Sequence, residues 1–234
     1  MLKRKVMVGI WVVLFVFAMC VSLYAAEKGL VGYWKFDEGK DKKAKDVSGK
    51  GNDGEITDGK WISGKFGYAL QFEEGGVDCG TDPSLSITDA ITIEVWIKYS
   101  EDLEGDRGEI VSKQTTSGNE GYRISKNAGE NIVWHVSSYP AIFSTDPVSP
   151  GIWYHIAAVS CEDYTRLYIN GVESISDEGA EIIDDEGIPF TIGKHADEDG
   201  VFFKGIIDEV KVYNRALSDT EVKASYEKNA ELYK

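Results

Sequence analysis

Hydrophobic and polar residues alternate in several short segments of this chain, most clearly from residue 91 to residue 99. The apolar positions of that segment are Ile91, Ile93, Val95, Ile97 and Tyr99. A period of two residues is that of side chains along a β-strand, so the pattern predicts a strand here. The run Ile152–Ser160 is of strand length and more uniformly apolar, which predicts a central strand covered on both faces.

A tight hairpin is predicted at the dipeptide Asn170-Gly171. The β-rich run Arg166–Ile169 precedes this dipeptide, and a second β-rich run begins at Val172. Asparagine and glycine tolerate the positive φ angles of a type I′ turn, which is the usual two-residue connection between antiparallel strands.

A long strand is predicted between Val201 and Tyr213. In strict alternation, one face of this strand carries Ile206, Asp208, Val210 and Val212. A carboxylate on an apolar face is costly to bury unless it is paired or bound to a cation. Asp208 is therefore a candidate functional residue.

The C-terminus alone shows a helical signal. The sequence Ser218-Asp219-Thr220-Glu221 has the form of a capping box, in which Ser218 caps the first amides and Glu221 reaches back to the cap. This predicts a short helix over residues 219–229. Many short strands with one terminal helix indicate an all-β fold, an antiparallel two-sheet sandwich with a short C-terminal helix.

The N-terminus has the build of a secretory signal peptide. Basic residues 3–5 precede an uncharged apolar stretch, residues 6–21, and small residues stand just before Glu27. The alternative interpretation is an uncleaved membrane anchor. The apolar stretch is short for a bilayer span of ~20 residues, which disfavours this alternative. We expect residues 1–26 to be a signal peptide and residues 27–234 to form one domain, secreted to the extracellular space or the periplasm, with no membrane insertion after cleavage.

The charge balance narrows the classes of partner. The chain has 25 Lys and Arg against 40 Asp and Glu, a net charge of −15 at pH 7, and loss of the three basic residues of the signal would bring it to −18. So acidic a protein is not expected to bind nucleic acid, which requires clustered basic residues. After cleavage Cys79 and Cys161 remain, and in an oxidising compartment they either form a disulfide or stay as two buried thiols.

Eight blocks of the sequence are informative when they are taken in order: residues 29–39, 46–54, 64–72, 82–86, 91–97, 153–158, 166–171 and 205–218. They span most of the chain after residue 26, and together they resemble the laminin-G-like, concanavalin A-like jelly-roll domains. The resemblance implies two curved antiparallel sheets whose first and last strands lie side by side. It does not assign a ligand, because this fold carries lectins, adhesion modules, glycosidases and spacers alike.

A structural calcium site is the most specific chemical hypothesis. The resemblance places Asp37, at the end of the first strand, near Asp208 on the last. Asn52 and the backbone at Gly54 would complete a set of the hard oxygen ligands that calcium prefers. The alternative is that Asp208 pairs with a basic neighbour, Arg215 or Lys211, without a metal.

Aromatic residues in loops are the candidate ligand-binding residues. Tyr139 and Phe143 lie in a segment interrupted by proline, where a buried strand is disfavoured. Trp61, Tyr122 and His195 are further candidates, and the alternative for all five is that their rings cover edges of the sandwich. The acidic run Asp197–Gly200 does not match an EF-hand loop and is interpreted as a solvated turn.

No constellation typical of a catalytic site is evident in the sequence. The paired carboxylates of the related glucanases are not found, because Glu94 stands alone on its strand, and the histidines lack metalloprotease spacing. We therefore expect a non-catalytic carbohydrate-binding or adhesion module that binds a glycan or an extracellular protein. A structural or protein-interaction domain of the cell envelope and a glycoside hydrolase or lyase are the alternatives, and the oligomeric state stays open.

Overall fold

A computed structural model describes residues 27–100, 107–117, 119–137, 139–183 and 187–231. The predicted signal peptide, residues 1–26, lies outside these described residues. None of the helices within the described ranges is both long enough and apolar enough to cross a membrane.

The described chain is built almost entirely of β-strands. The strands are β1 (Leu30–Trp34), β2 (Lys43–Ala44), β3 (Gly54–Thr57), β4 (Lys60–Ser63), β5 (Tyr68–Phe72), β6 (Gly76–Asp78), β7 (Ile91–Tyr99), β8 (Gly108–Lys113), β9 (Tyr122–Lys126), β10 (Ile132–Val136), β11 (Ile142–Phe143), β12 (Tyr154–Ser160), β13 (Tyr164–Ile169), β14 (Val172–Glu178), β15 (Thr191–Ile192) and β16 (Gly205–Tyr213). A 3-10 turn covers Pro83–Leu85, and one helix, α1, covers Asp219–Glu231.

The strands form two antiparallel sheets packed as a sandwich. The first sheet runs β14-β13-β12-β7-β16-β5-β4, and β1 also pairs with β16. The second runs β11-β10-β9-β8-β15-β6-β3-β2. The pairing of β1 with β16, through Tyr33 opposite Lys211, confirms that the first and last strands are neighbours. The predicted fold class, an antiparallel two-sheet sandwich with a short C-terminal helix, is therefore confirmed.

The hydrophobic core fills the space between the two sheets. Its largest members include Trp34 and Trp134, both almost completely buried. Trp34 stacks on Phe190 with ring centroids 5.3 Å apart, and its indole nitrogen donates a hydrogen bond to the Asn52 carbonyl at 2.7 Å. A buried aromatic ring contributes a large apolar area, and the indole N–H requires a partner that Asn52 supplies.

Most of the predicted elements occur where the patterns place them. The strand predicted over Ile91–Tyr99 is β7, and the predicted hairpin is β13 and β14, joined by Asn170 and Gly171 with φ angles of +52° and +74°. The helix begins at Asp219 as predicted. Its capping box forms, because Glu221 accepts from the Ser218 amide at 2.9 Å and the Glu221 amide donates to the Ser218 hydroxyl at 3.3 Å.

A β-bulge interrupts β16 at Glu209. Asp208 lies opposite Trp96 of β7, whereas Lys211 lies opposite Glu94, so one extra residue is inserted in β16. Glu209 adopts a φ of +51°, and its carboxylate accepts a hydrogen bond from the Tyr33 hydroxyl. The bulge shifts the alternation of side chains for the rest of the strand.

The bulge changes which side chains of β16 share a face. Ile207, Val210 and Val212 belong to the core between the sheets. Asp208 is fully buried but lies with Trp96 on the opposite, outer face of the first sheet. The predicted common face of Ile206, Asp208, Val210 and Val212 is therefore wrong, because strict alternation does not continue through an inserted residue.

Helix α1 covers part of this outer face. Tyr226 stacks on Trp96, with ring centroids 5.7 Å apart, and also contacts His155. The Ser225 hydroxyl donates to the buried Glu94 carboxylate at 2.8 Å. The helix thus closes a second, smaller layer of packing on the side of the first sheet that faces away from the core.

The two cysteines do not form a disulfide. Cys79 follows β6 of the second sheet and is buried, whereas Cys161 follows β12 of the first sheet and is partly buried. Both are free thiols, so of the two alternatives that the sequence left open the disulfide is wrong in this structure. Burial raises the pKa of the Cys79 thiol, which keeps it protonated and unreactive.

Candidate functional site

The outer face of the second sheet carries polar side chains in two cross-strand rows, and we call it the polar face. On β9 and β10 the core residues Ile124 and Trp134 alternate with residues that point the opposite way. One row runs from β11 to β8 through Phe143, Val133, Ser125 and Glu109. In this row Phe143 is exposed, and the other three residues are almost completely buried. The other runs from β10 to β3 through His135, Arg123, Ser112, Thr191, Asp78 and Glu55.

A continuous chain of hydrogen bonds and ion pairs crosses the polar face. Arg107 bonds Glu109 at 3.0 Å, and Arg123 approaches the same carboxylate oxygen at 3.6 Å. Arg123 also donates to Gln114 Oε1 at 2.7 Å, and the Gln114 amide bonds His135 Nδ1 at 2.8 Å. Side chains linked in this way hold one another in fixed orientations, which preorganises the face for a polar ligand.

Burial shifts the pKa values of the side chains in this hydrogen-bonded chain. The Glu109 side chain is 0% exposed, and burial raises its pKa against the opposing effect of Arg123 and Arg107. Its Oε1 atom has no hydrogen-bond partner. Burial, and then the positive charge of Arg123, lowers the pKa of His135 to about 4, so this imidazole is neutral at pH 7. The bond from Gln114 to Nδ1 fixes the orientation of the His135 ring.

Two short loop segments joined by backbone hydrogen bonds form one border of the polar face. The amide of His195 donates to the Val201 carbonyl, and Lys194 and Phe202 form a bridge. At the tip, the amides of Asp197 and Glu198 donate to His195 Nδ1 at 3.2 and 3.0 Å. His195 thus orders the acidic tip, and burial lowers its pKa, which favours the neutral ring that accepts these bonds.

A furrow runs along this end of the sandwich, next to the polar face. Three adjoining depressions, of about 650, 400 and 340 Å³, make it up, and Glu74 lines all three. Arg107, Glu198 and Phe202 line the largest. Arg107 also bonds Glu198 at 3.2 Å, so the same side chain belongs to the furrow and to the polar face. The run Asp197–Gly200, interpreted from the sequence as a solvated turn, is thus a wall of the furrow.

The structure places two of the predicted ligand-binding residues at opposite borders of this region. Phe143 lies at the β11 end of the polar face with 47% of its surface exposed, and His195 lies in the furrow. Tyr139 is partly buried against the core and lies close to Asp177. Trp61 is on the edge strand β4, where its indole nitrogen donates to the Asp41 carbonyl at 3.0 Å.

Tyr122 is not a ligand-binding residue, and that prediction was wrong. Its side chain is 0% exposed, packs beside Trp134 and Phe190 in the core, and donates from its hydroxyl to the Leu85 carbonyl at 2.9 Å. The physical reason is the alternation of β9, which turns Tyr122 inwards and its neighbour Arg123 outwards.

A family profile matches the part of the chain that contains most strands of the polar face and most residues of the furrow. The laminin G profile described as the concanavalin A-like lectin/glucanases superfamily matches residues 73–223. The chain belongs to this superfamily. Comparison with curated protein sequences gives no significant match.

Solved structures of the same fold include binding domains and parts of enzymes. The binding domain of Paraclostridial Mosquitocidal Protein 1 is 21% identical, with a TM-score of 0.70 over 85% of this chain and 52% of that one. Domain 4 of AbnA, a GH43 extracellular arabinanase from Geobacillus stearothermophilus, in complex with arabinotriose, is 22% identical, with a TM-score of 0.65 over 84% of this chain and 98% of that one.

A Trypanosoma rangeli sialidase is similar over a smaller part of its length. It is 15% identical, with a TM-score of 0.66 over 85% of this chain and 33% of that one. The chain therefore spans about half of the mosquitocidal binding domain and about a third of the sialidase. At these identities the likeness shows the superfamily fold, and the ligand has to be argued from the site.

The structure does not gather the four predicted calcium ligands around one point. Asp208 accepts from the amides of Lys65 and Phe66 at 3.0 and 3.1 Å, and Asp37 accepts from the Tyr68 amide at 3.3 Å, so these two carboxylates share the turn between β4 and β5. The alternative interpretation, that Asp208 pairs with Arg215 or Lys211, does not hold among the described residues, where these backbone amides are its partners.

Asn52 and Gly54 lie away from the turn that Asp37 and Asp208 share. The Asn52 side-chain amide donates to the Val31 carbonyl and the Ser84 hydroxyl. Its backbone carbonyl accepts a hydrogen bond from the core residue Trp34. Asn52 therefore lies on the side of the first sheet opposite to Asp208. Gly54 pairs within the second sheet. Among the described residues no three of the His, Cys, Asp and Glu side chains are placed to hold a metal. The four-residue set therefore does not fit one calcium ion.

The residues of the polar face were missed in the sequence. A signal was present, since Arg123 and Ser125 alternate with core residues on β9, and His135 does so on β10. The sequence could not show that these short strands pair in one sheet. It also could not show that Arg107 and Gln114, which directly precede and follow β8, complete the chain of hydrogen bonds.

Proposed function

We propose that this protein is a secreted, non-catalytic module of the concanavalin A-like superfamily that binds a glycan on the polar face. The observation that carries the proposal is the chain of linked side chains from Arg107 to His135, bordered by the exposed ring of Phe143. Small-ligand sites combine an apolar surface with a few fixed polar groups, and this face presents both.

The chemistry of the face suits sugar hydroxyl groups. An arginine offers several N–H donors in a rigid fork, and Arg123 remains 18% exposed while Glu109 and Gln114 hold its orientation. His135 contributes a ring nitrogen, and Phe143 contributes a flat apolar surface for the C–H face of a sugar ring. The arabinotriose complex of AbnA domain 4 supports a glycan ligand for this fold.

A non-catalytic role is supported by the state of Glu109. Most glycosidases use two carboxyl groups about 5–9.5 Å apart on either side of the scissile bond. Glu109 is fully enclosed and neutralised by Arg107 and Arg123, so it has no open approach to a glycosidic bond. A hydrolase that uses other carboxylates would release reducing sugar from the glycan it binds, which an end-group assay measures directly.

Isothermal titration calorimetry against a panel of neutral and acidic oligosaccharides, arabinotriose among them, tests the proposal. We expect binding to at least one member. His135→Ala and Phe143→Ala should each raise its Kd at least tenfold, about 1.4 kcal/mol, because one removes a polar contact and the other the apolar surface.

Tyr68→Ala is the matched control. Tyr68 is as exposed as Phe143, at 49%, but lies on β5 of the first sheet. Its removal should leave Kd unchanged. Failure of the wild-type protein to bind any glycan, together with recovery of a protein partner, would favour a structural or protein-interaction domain instead.

Calcium stabilisation and secretion are the two remaining parts of the proposal. The buried Asp208 oxygen without a hydrogen-bond partner is the observation that keeps calcium open, although the four predicted ligands do not converge. Thermal unfolding with EDTA and with millimolar calcium tests it, since a hundredfold excess over Kd stabilises by about 2.7 kcal/mol. Recovery of protein beginning near Glu27 from the medium or the periplasm tests secretion.

A further inference from the structure

We infer that the ligand is a neutral polysaccharide bound along its length, with the furrow receiving the part of the chain that continues beyond the polar face. This inference rests on the proposed function of the polar face and adds the class of glycan and a second binding region. It is carried by the dimensions of the two regions, their junction at Arg107, and their charge.

The polar face is longer than a single sugar ring. Its first row crosses four strands, from Phe143 on β11 to Glu109 on β8. Three inter-strand spacings of ~4.8 Å give a length of about 14 Å. Between its ends the row is closed to a ligand, because Val133, Ser125 and Glu109 are almost completely buried, whereas Phe143 is 47% exposed and the Arg107 side chain 39%. A monosaccharide cannot contact both exposed ends, whereas an oligosaccharide can.

The furrow continues where the row ends. Arg107 bonds Glu109 on the polar face and Glu198 in the furrow, so one side chain contacts both regions. Depressions of about 650 and 400 Å³ are within the range of ~300–1,000 Å³ typical of small-ligand sites. Both are lined by Phe202, a partly exposed ring, which repeats the role of Phe143 at the far end.

The charge of the furrow selects against acidic chains. Its carboxylate residues among those described are Asp58, Glu73, Glu74, Asp197, Glu198 and Asp199. Its cationic residues are Lys60, Lys194, Arg107 and Lys204. The furrow thus shares the negative charge of the whole chain, which is −15, so a uronate or sulfated polymer is repelled while hydroxyl groups still find acceptors.

The test compares short and long forms of neutral glycans with the purified protein. The probes are arabino-, xylo-, cello- and manno-oligosaccharides of three and of eight units, with polygalacturonate as the acidic chain. We expect the octasaccharide of the preferred series to bind at least tenfold more tightly than the trisaccharide, and polygalacturonate to bind at least tenfold more weakly than that octasaccharide at low salt.

Two variants locate the additional binding. Phe202→Ala and Glu74→Ala should weaken octasaccharide binding about tenfold and leave trisaccharide binding within twofold, because only the longer chain reaches the furrow. Glu74 is exposed, so its loss does not disturb the core. Glu162→Ala, an exposed carboxylate in the β12–β13 turn of the first sheet, is the control and should change neither.

The outcomes separate this inference from the proposed function. If the trisaccharide and the octasaccharide bind equally well, or if the furrow variants leave octasaccharide binding unchanged, the polar face binds a glycan but the furrow does not extend the site. If the furrow variants weaken both alike, the furrow is not a second region reached only by the longer chain, and the inference is overturned. If polygalacturonate binds as tightly as the neutral chain, the assignment of a neutral glycan is overturned. If the wild-type protein binds none of the probes, the proposed function and this inference fail together.

Discussion

Asp208 and Glu94 are carboxylates buried on the outer face of the first sheet, and both differ from ordinary surface acids. Burial raises the pKa of Asp208 to about 8, although the amides of Phe66 and Lys65 act in the opposite direction. Burial likewise raises the pKa of Glu94 to about 7, against the charge of Lys211. Near pH 7 Asp208 is therefore largely protonated and Glu94 about half protonated in the folded protein, whereas in the unfolded chain each ionises near pH 4.

The raised pKa of Asp208 predicts that stability falls as the pH rises. The folded state binds a proton that the unfolded state releases, so this contribution is complete below about pH 4 and is lost as the pH rises through about 8. Urea unfolding in EDTA should give a free energy of unfolding that decreases between pH 5 and pH 8. Asp208→Asn should remove part of this decrease, because the amide keeps the neutral form at every pH.

Exposed Asp163→Asn is the control for this prediction. It lies in the β12–β13 turn and should leave the slope of stability against pH unchanged. An Asp208→Asn protein with the wild-type slope would contradict the raised pKa, because Asp208 would then release its proton at the same pH in the folded and unfolded states.

At the scale of elements, the contact between α1 and the β13–β14 hairpin explains why a glycine stands in the turn. Gly171 has a φ of +74°, and a Cβ atom there would lie 3.0 Å from the Tyr226 ring. The Tyr226 ring in turn stacks on Trp96. The hairpin, the helix and the outer face of the first sheet therefore pack around one aromatic side chain.

Gly171→Ala should destabilise the protein more than Gly151→Ala. Both glycines have nearly the same φ, +74° and +73°, so both alanines meet the same backbone penalty, on the order of 1 kcal/mol. Only the Cβ at residue 171 also crowds Tyr226, and overpacking typically costs a further ~1–3 kcal/mol. The difference in unfolding free energy between the two variants measures the cost of crowding Tyr226 of the helix. Equal values would show that Tyr226 moves aside at no cost.

At the scale of the whole molecule, the apolar core packs between the two sheets, and the two cysteines among the described residues form no covalent bridge between them. In this core Trp34 stacks on Phe190, and Tyr122 contacts both Phe190 and Trp134. Cys79 and Cys161 belong to different sheets and remain separate thiols. Sandwiches of this size bury enough apolar surface to fold without a disulfide.

We therefore expect reducing agent to leave thermal unfolding unchanged. Alkylation under denaturing, non-reducing conditions should label both Cys79 and Cys161, as read by peptide mass. In the native protein Cys161 should react first, because Cys79 is buried and burial raises its pKa. A linked Cys79–Cys161 peptide would show that the two sheets are bridged.

Local patterns in the sequence determined the elements of this fold with good accuracy. The alternation over Ile91–Tyr99, the Asn170-Gly171 turn and the capping box at Ser218 each depend on neighbouring residues only, and each occurs as predicted. The all-β class and the adjacency of the first and last strands followed from these patterns and from the resemblance to the jelly rolls.

Only the tertiary structure decided which residues meet. One inserted residue at Glu209 turned Asp208 away from the core face, and the pairing of β8, β9 and β10 assembled Glu109, Arg123 and His135 into one polar face. Tyr122 had the appearance of a loop aromatic, but its place on β9 turned it inwards. The reason is that a strand's period is local, whereas register, bulges and sheet order depend on partners far away in the chain, and a shift of one residue exchanges the two faces.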